Sequence, residues 1–367
     1  MSKKHSHLFS PYTLGTLELD NRIVMAPMTR SRAIGNVPND LVVKYYSERA
    51  SAGLIITEGT SPSPNGLGYA RIPGLFNSEQ IAAWKIVTDA VHAKGGKIFV
   101  QLMHTGRITH PLNLPEGAKV IAPSPIAADT TQMYTDKEGM KDLPVPEALT
   151  KDGLKDTIQE FVDSAKAAVD AGFDGIELHS ANGYLLEQFL SAASNQRQDE
   201  YGGSEENRNR FVLEVSQAVA DAIGTEKVGI RLSPFGAFND IKWDDTTESQ
   251  FTKLAAGLKA IGIVYIHVVD HTSMGAPAYP QSVKDEIRNA FGGAIIMSGG
   301  YDAEKAEADL ASGQGELVAF GRPYISNPDL VERFEEAIPL AVPDYNTFYT
   351  PGAKGYIDYE KSAAVLN

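Results

Sequence analysis

The chain contains no cysteine, which excludes disulfides, a thiolate nucleophile, cysteine-held iron–sulfur clusters and cysteine-based zinc sites together. A cytoplasmic setting is the one expected for such a chain. Long hydrophobic runs are also missing: no stretch approaches the roughly 18 apolar residues of a membrane span. The oiliest segment, Ile261–Val269, is broken by Gly262 and His267 and suits a buried strand. Lys3 and Lys4 are not followed by the continuous apolar segment of a secretory signal. Positive charge is scarce as well, with 33 Lys and Arg against 47 Asp and Glu, a net charge of −14, and no dense basic stretch. A surface of that kind repels nucleic acid and anionic lipid, so neither is an expected partner.

What is present reads as a folded globular chain, 43% hydrophobic and 22% charged, with enough apolar residues for a large core. A length of 367 residues could make two or three domains of roughly 150 residues, or one β/α barrel, which takes about 200 to over 400. Eight short runs rich in β-branched and apolar residues decide between them: Arg22–Ala26, Leu54–Thr57, Lys97–Leu102, Gly175–Leu178, Val228–Leu232, Val264–Val269, Ala294–Met297 and Leu317–Phe320. They are apolar on both faces, as strands of a covered parallel sheet are. Helical patterns separate them. Ser78–Lys94 spaces Ile81, Trp84, Val87 and Val91 on one face before Gly95, and Asp152–Ala171 does the same with Leu154, Ile158, Phe161, Val162, Ala165 and Val169 before Gly172.

Alternating strands and helices imply a parallel sheet, open or closed, and the number of strands favours closure into a (β/α)8 TIM barrel. An open dinucleotide-binding sheet would show Gly-x-Gly-x-x-Gly after its first strand, whereas Ala26-Pro27-Met28-Thr29-Arg30 stands there. The expectation is therefore a single domain over residues 1–367. Leu8–Asn21 reads as an N-terminal hairpin plugging the barrel bottom. The connection after the third strand is far longer than a βα loop, and its Pro-, Asp- and Thr-rich part, 105–150, reads as an excursion capping the mouth, with a short hairpin in it.

Active sites of such barrels lie at the C-terminal strand ends. Polar residues stand at nearly every one: Thr29, Glu58, Gln101 with His104, His179 with Asn182, Arg231 with Ser233, Asp270 with His271, Ser298 and Arg322. Ser298-Gly299-Gly300 and Gly321-Arg322 follow strands seven and eight, where barrels commonly hold a phosphate; glycines admit backbone N–H groups to the anion and Arg322 adds charge. The same residues could be a tight turn and a surface cation. After strand four, a helical turn would put His179 and Asn182 on one face so that two donors converge on one oxygen, with Tyr184 nearby as a general acid; a core histidine and a packed tyrosine are the plainer alternative. No metal site is expected. His267 and His271 are four apart, about 13 Å along a strand, too far for one ion. Glu177 and Glu187 lack the paired partner a glycosidase uses, and Glu177 is expected to pair within the barrel interior. A Schiff-base aldolase would need a lysine at a strand's C-terminal end, but Lys97 and Lys227 stand at strand beginnings.

Taken in order, several segments resemble the Old Yellow Enzyme family, specifically its bacterial branch of N-ethylmaleimide and pentaerythritol tetranitrate reductases. They are Asn21-Arg-Ile-Val-Met-Ala-Pro-Met-Thr-Arg30, Ile56-Thr-Glu-Gly59, Val100-Gln-Leu-Met-His-Thr-Gly-Arg107, Gly175-Ile-Glu-Leu-His-Ser-Ala-Asn-Gly-Tyr184, Arg231-Leu-Ser-Pro234 and Ala319-Phe-Gly-Arg-Pro323. Asn195-Gln-Arg-Gln-Asp-Glu-Tyr-Gly-Gly-Ser204 with Glu206-Asn-Arg208, then Asn346-Thr-Phe-Tyr349 and Gly355-Tyr-Ile-Asp-Tyr359, extend the likeness over essentially the whole chain.

The resemblance implies a noncovalent FMN across the barrel mouth and an NAD(P)H-dependent ene-reductase acting on α,β-unsaturated carbonyls, maleimides or nitroalkenes. It puts the phosphate on Gly300, Gly321 and Arg322 beside Ser298 and Gly299, and the ring against Ala26, Pro27, Met28, Thr29, Gly59, Gln101 and Arg231. His179 and Asn182 would bind the activating oxygen while hydride leaves flavin N5, Tyr184 would protonate the substrate, and Tyr69, Met103 and Tyr349 would line the pocket. The expected species is a monomer or weak homo-oligomer. A non-catalytic flavin sensor and another FMN barrel dehydrogenase are the alternatives. Met103 stands where many relatives have Trp, which implies a roomier, more pliable pocket; Asp270-His-Thr-Ser-Met-Gly275 and Thr350-Pro351 also depart from the family's wording.

Overall fold

A computed structural model describes residues 5–276 and 280–362. Eight parallel strands close into a barrel: β1 (Ile23–Met25), β2 (Leu54–Ile56), β3 (Ile98–Leu102), β4 (Gly175–Ser180), β5 (Val228–Leu232), β6 (Tyr265–Val269), β7 (Ala294–Ser298) and β8 (Leu317–Phe320), with β8 pairing β1. The expected runs match these within a residue or two. Helices follow the strands, and their ends are set by caps: the Asn77 side chain accepts from Gln80 N ahead of Ser78–His92, and Thr150 from Gly153 N ahead of Lys151–Asp170.

Two apolar layers account for the fold. The larger lies between the barrel wall and the helices, where Ile55, Val100, Ile176 and Ile230 meet Trp84, Phe161, Phe211 and Leu254. The smaller fills the barrel's lower interior with Val24, Leu54, Phe99, Ile296 and Leu317. Leu14 and Leu19, from the hairpin Tyr12–Leu14 and Leu17–Leu19, join that inner layer and close the bottom. Phe99 is fully buried there, and cutting it to Ala would cost about 3–5 kcal/mol.

The long excursion holds an antiparallel hairpin, Gln132–Thr135 with Gly139–Asp142, and a short parallel pair, Ile121–Ala122 with Glu147–Ala148. The chain's end is strapped across the same mouth: Arg30 Nη2 donates to Gly355 O at 2.7 Å, and Arg32 donates to Phe348 O at 2.6 Å and Thr347 O at 2.7 Å. Among the described residues no helix is long and apolar enough to cross a membrane, and no group of three metal-ligating side chains occurs.

Candidate active site

A cavity of about 1220 Å3 opens at the C-terminal ends of the strands. Strand register sets its floor. Because side chains alternate along a strand, Gln101 on β3, His179 on β4 and Arg231 on β5 all point inward, with His179 beside Arg231 in the ladder. Every residue expected at the site lines this one space: Ala26, Pro27, Met28 and Thr29 after β1, Gly59 after β2, Gln101 and Met103, His179, Asn182 and Tyr184, Arg231, Ser298, Gly299 and Gly300, Gly321 and Arg322. Tyr69 and Tyr349 stand on its walls. Met103 lies over Gly59, where an added Cβ would fall 2.4 Å from the Met103 sulfur. Of the polar residues at strand ends, Asp270 and His271 line the cavity, whereas Glu58, His104 and Ser233 do not. The His104 ring is buried and its Nδ1 accepts from Gly106 N at 3.1 Å.

The turn after β4 differs from the expected helical one. His179 belongs to the strand, Asn182 takes a left-handed φ of 58°, Gly183 follows at 79°, and the helix begins only at Leu185. The two side chains still meet, with His179 Nε2 and Asn182 Nδ2 3.5 Å apart, but a reversed turn brings them together rather than a shared helix face. Its support comes from other elements: Asn182 N donates to Ser233 Oγ at 2.9 Å, Ser233 Oγ donates to Glu187 Oε1, and Gly183 N donates to Glu187 Oε2. A left-handed Asn is affordable because its short polar side chain tolerates that region.

Protonation follows from burial. Burial, then the positive charge of Arg231, holds His179 well below the usual imidazole range, so the ring is neutral near pH 7. Burial, then Tyr69, pushes the Tyr184 phenol well above its usual value; its proton stays on, and Tyr69 Oη lies 2.9 Å from it. Burial lowers Arg231, with Glu177 opposing, and the guanidinium remains charged. Four buried atoms of these lining residues, His179 Nδ1, Asn182 Oδ1, Arg231 Nε and His271 Nδ1, have no hydrogen-bond partner among the described residues. Buried polar groups are ordinarily paired, so the set calls for a ligand carrying both donors and acceptors.

The opposite wall is made of backbone. Gly299 has φ 131°, and a Cβ there would lie 2.3 Å from Asp270 O. Gly321 faces only Met28 and Ala26 at 3.6 Å and beyond, which leaves room for a phosphate beside the Arg322 cation. Sequence reasoning missed the upper walls. Met133, Tyr134 and Met140 come from the excursion's hairpin, Phe238 and Asn239 from the loop after β5, and Tyr345 and Phe348 from the strapped tail. None carries a periodic signal, and only the excursion's length hinted at them.

A profile described as the NADH:flavin oxidoreductase / NADH oxidase family matches residues 7–341. Among curated proteins the chain is 42% identical over 357 residues to 12-oxophytodienoate reductase 1 of Oryza sativa subsp. japonica, covering 96% of this chain and 92% of that one. It is 40% identical over 362 residues to a probable flavin mononucleotide-dependent alkene reductase of Leishmania infantum, covering 98% of each. Among solved structures, morphinone reductase superposes with a TM-score of 0.95 at 43% identity, over 100% of this chain and 99% of the other.

Proposed function

Since the chain belongs to the NADH:flavin oxidoreductase / NADH oxidase family, as an Old Yellow Enzyme-type ene-reductase with FMN and a nicotinamide nucleotide as cofactors, we propose which bonds it reduces and which residues do the work. The substrates are α,β-unsaturated carbonyl compounds, maleimides or nitroalkenes, and the products their saturated counterparts, formed in a cytoplasmic setting suited to a cysteine-free chain.

The unpaired Arg231 Nε, the polar floor and the glycine-lined wall fit FMN. Thr29, Gly59, Gln101 and Arg231 would hold its ring, with Ala26, Pro27 and Met28 alongside, and Ser298, Gly299, Gly300, Gly321 and Arg322 its phosphate. When bound, FMN supplies the hydride, which it has taken from NADH or NADPH. A unit charge at about 4 Å is worth roughly 4 kcal/mol at an effective dielectric near 20, before desolvation, so Arg231 favours the negatively charged reduced state.

His179 and Asn182 donate to the substrate's carbonyl or nitro oxygen, on which negative charge grows as the β-carbon is reduced. A neutral imidazole still has one N–H to give, and donors placed this way contribute about 3 kcal/mol each in the transition state. Tyr184, protonated throughout the neutral range, delivers the proton to the α-carbon, and Tyr69 can pass a replacement through their 2.9 Å contact. Tyr349 and Met103 shape the rest of the pocket.

The observation that carries this reading is the meeting of His179, Asn182 and Tyr184 on one wall, with buried polar atoms left unpaired. The test is an anaerobic colour cycle. NADPH or NADH should bleach the yellow protein, and cyclohexenone should restore the colour. A flavin sensor would stay bleached, and a protein that refuses added FMN would sink the proposal.

A further inference from the structure

Beneath the cavity lies a polar layer that this reaction does not use. Glu177 and His267 are 0% exposed and neither lines the cavity. Glu177 Oε1 accepts from Gln101 Nε2 at 2.8 Å; Glu177 Oε2 accepts from Tyr265 Oη at 3.1 Å and sits 2.8 Å from His267 Nδ1. Register builds the cluster, because Glu177 stands beside Gln101 in β3 and Gly229 in β5, while Arg231 stands beside His267 in β6. Gly229 is required there, since a Cβ would lie 2.2 Å from the Tyr265 ring that reaches Glu177.

Burial pushes the Glu177 carboxyl up, but His267, Arg231 and Gln101 outweigh it and hold the group below its usual range. Burial holds His267 below its usual value despite Glu177. The layer is therefore a carboxylate, a neutral imidazole donating through Nδ1, and a guanidinium, with no net charge. Only Gln101 and Arg231 reach the cavity, and both are tied to Glu177, one by a hydrogen bond and the other by charge.

We propose that Glu177 is a positioning residue, which holds the Gln101 amide in place and offsets the Arg231 charge, and so sets how strongly the site prefers reduced over oxidised FMN. This rests on the reading that FMN occupies the cavity. Glu177→Gln removes the charge at almost constant volume. The new amide can still accept from Tyr265 and His267 and donate to a flipped Gln101, so the fold should survive.

The two-electron midpoint potential of bound FMN, titrated anaerobically against a reference dye, reads the preference directly, with thermal unfolding measured alongside. In Glu177→Gln the preference for reduced FMN should rise about tenfold, which is about 30 mV for a two-electron couple. Tyr265→Phe strips one donor from the carboxylate and leaves its charge barer. It should shift the preference about threefold the other way, and it decides the matter alone if Glu177→Gln does not fold. Lowered thermal stability with an unchanged potential would show a purely structural Glu177 and overturn the proposal. Wild-type protein that binds no FMN would instead overturn the functional reading on which it rests.

Discussion

The two sides of the barrel mouth are built from different material. Strands β3 to β5 and the turn after β4 contribute long polar side chains, Gln101, His179, Asn182, Tyr184 and Arg231, mostly removed from solvent. Strands β7, β8 and β1 contribute mainly backbone and small residues, Ser298, Gly299, Gly300, Gly321, Ala26 and Pro27, with Met28, Thr29 and the Arg322 cation beside them. The first side acts through atoms that can be deleted. The second acts chiefly through a shape that can be filled. Substitutions of His179, Asn182 and Tyr184 should accordingly damage the catalytic steps, and those of the glycine wall should damage cofactor retention, with little crossover.

The largest effect is expected from Tyr184→Phe, which keeps the ring and removes only the proton donor. A positioned general acid contributes about a hundredfold to ten-thousandfold. Reoxidation of the reduced protein by cyclohexenone should fall by at least about a hundredfold, while bleaching by the nicotinamide nucleotide stays within about twofold. Stopped-flow measurement of the two half-reactions separates them, and equal slowing of both would mark Tyr184 as packing alone. Because its phenol is held well above the usual value, the wild-type reoxidation rate should show no loss from this group up to about pH 10.

His179→Ala comes next. The protein should remain yellow and lose about a hundredfold in enone turnover, close to the 3 kcal/mol of one oxyanion donor. Unchanged turnover would break the assignment of the anchor. On the opposite side, Gly299→Ala places a methyl 2.3 Å from Asp270 O at φ 131°, a strain of about 1–3 kcal/mol. FMN affinity, read by fluorescence on dilution, should weaken about tenfold, and excess FMN should return turnover to within a few-fold of wild type. Were Gly299→Ala to slow the chemistry with FMN fully bound, the division of labour between the two sides would fail.

The same division explains what the sequence could and could not disclose. Barrel strands are covered on both faces, so Leu54–Ile56 and Val228–Leu232 stand out as apolar runs, and the residue at each end is marked without any tertiary information. Glycines at 299, 300 and 321 are visible for the same reason. The turn at Asn182 was misjudged because its conformation is held by Ser233 and Glu187, residues of β5's end and of the following helix. Local spacing carries no trace of a partner 51 residues away. The interior pairing of Glu177 was legible as a burial problem, whereas its partners Gln101, Tyr265 and His267 depend on the register of three strands. The upper walls were the least legible. Tyr349 stands at the rim, 62% exposed, with Arg71 Nη2 donating to its carbonyl at 2.8 Å and Arg32 donating to that of Phe348, contacts that local spacing does not reveal.

The smallest effect concerns the support under that turn and is a matter of pH. Burial pushes the Glu187 carboxyl from 4.5 to about 8, against the hydrogen bonds from Ser233 and Gly183. Glu58, also buried, is raised to about 7. A group whose pKa is higher folded than unfolded lends stability that is complete below the unfolded value, near 4.5, and lost as pH rises through the folded one. The unfolding temperature of the FMN-bound protein should therefore fall between about pH 5 and pH 8. Glu187→Gln, which stays neutral and can accept from Gly183 N through its amide oxygen while its amide nitrogen donates to Ser233 Oγ, should flatten the upper part of that decline by a few degrees and leave the part due to Glu58. An identical slope in the variant would mean that Glu187 is already ionised at neutral pH, and that the Asn182 turn hangs on a charged carboxylate rather than on a protonated one.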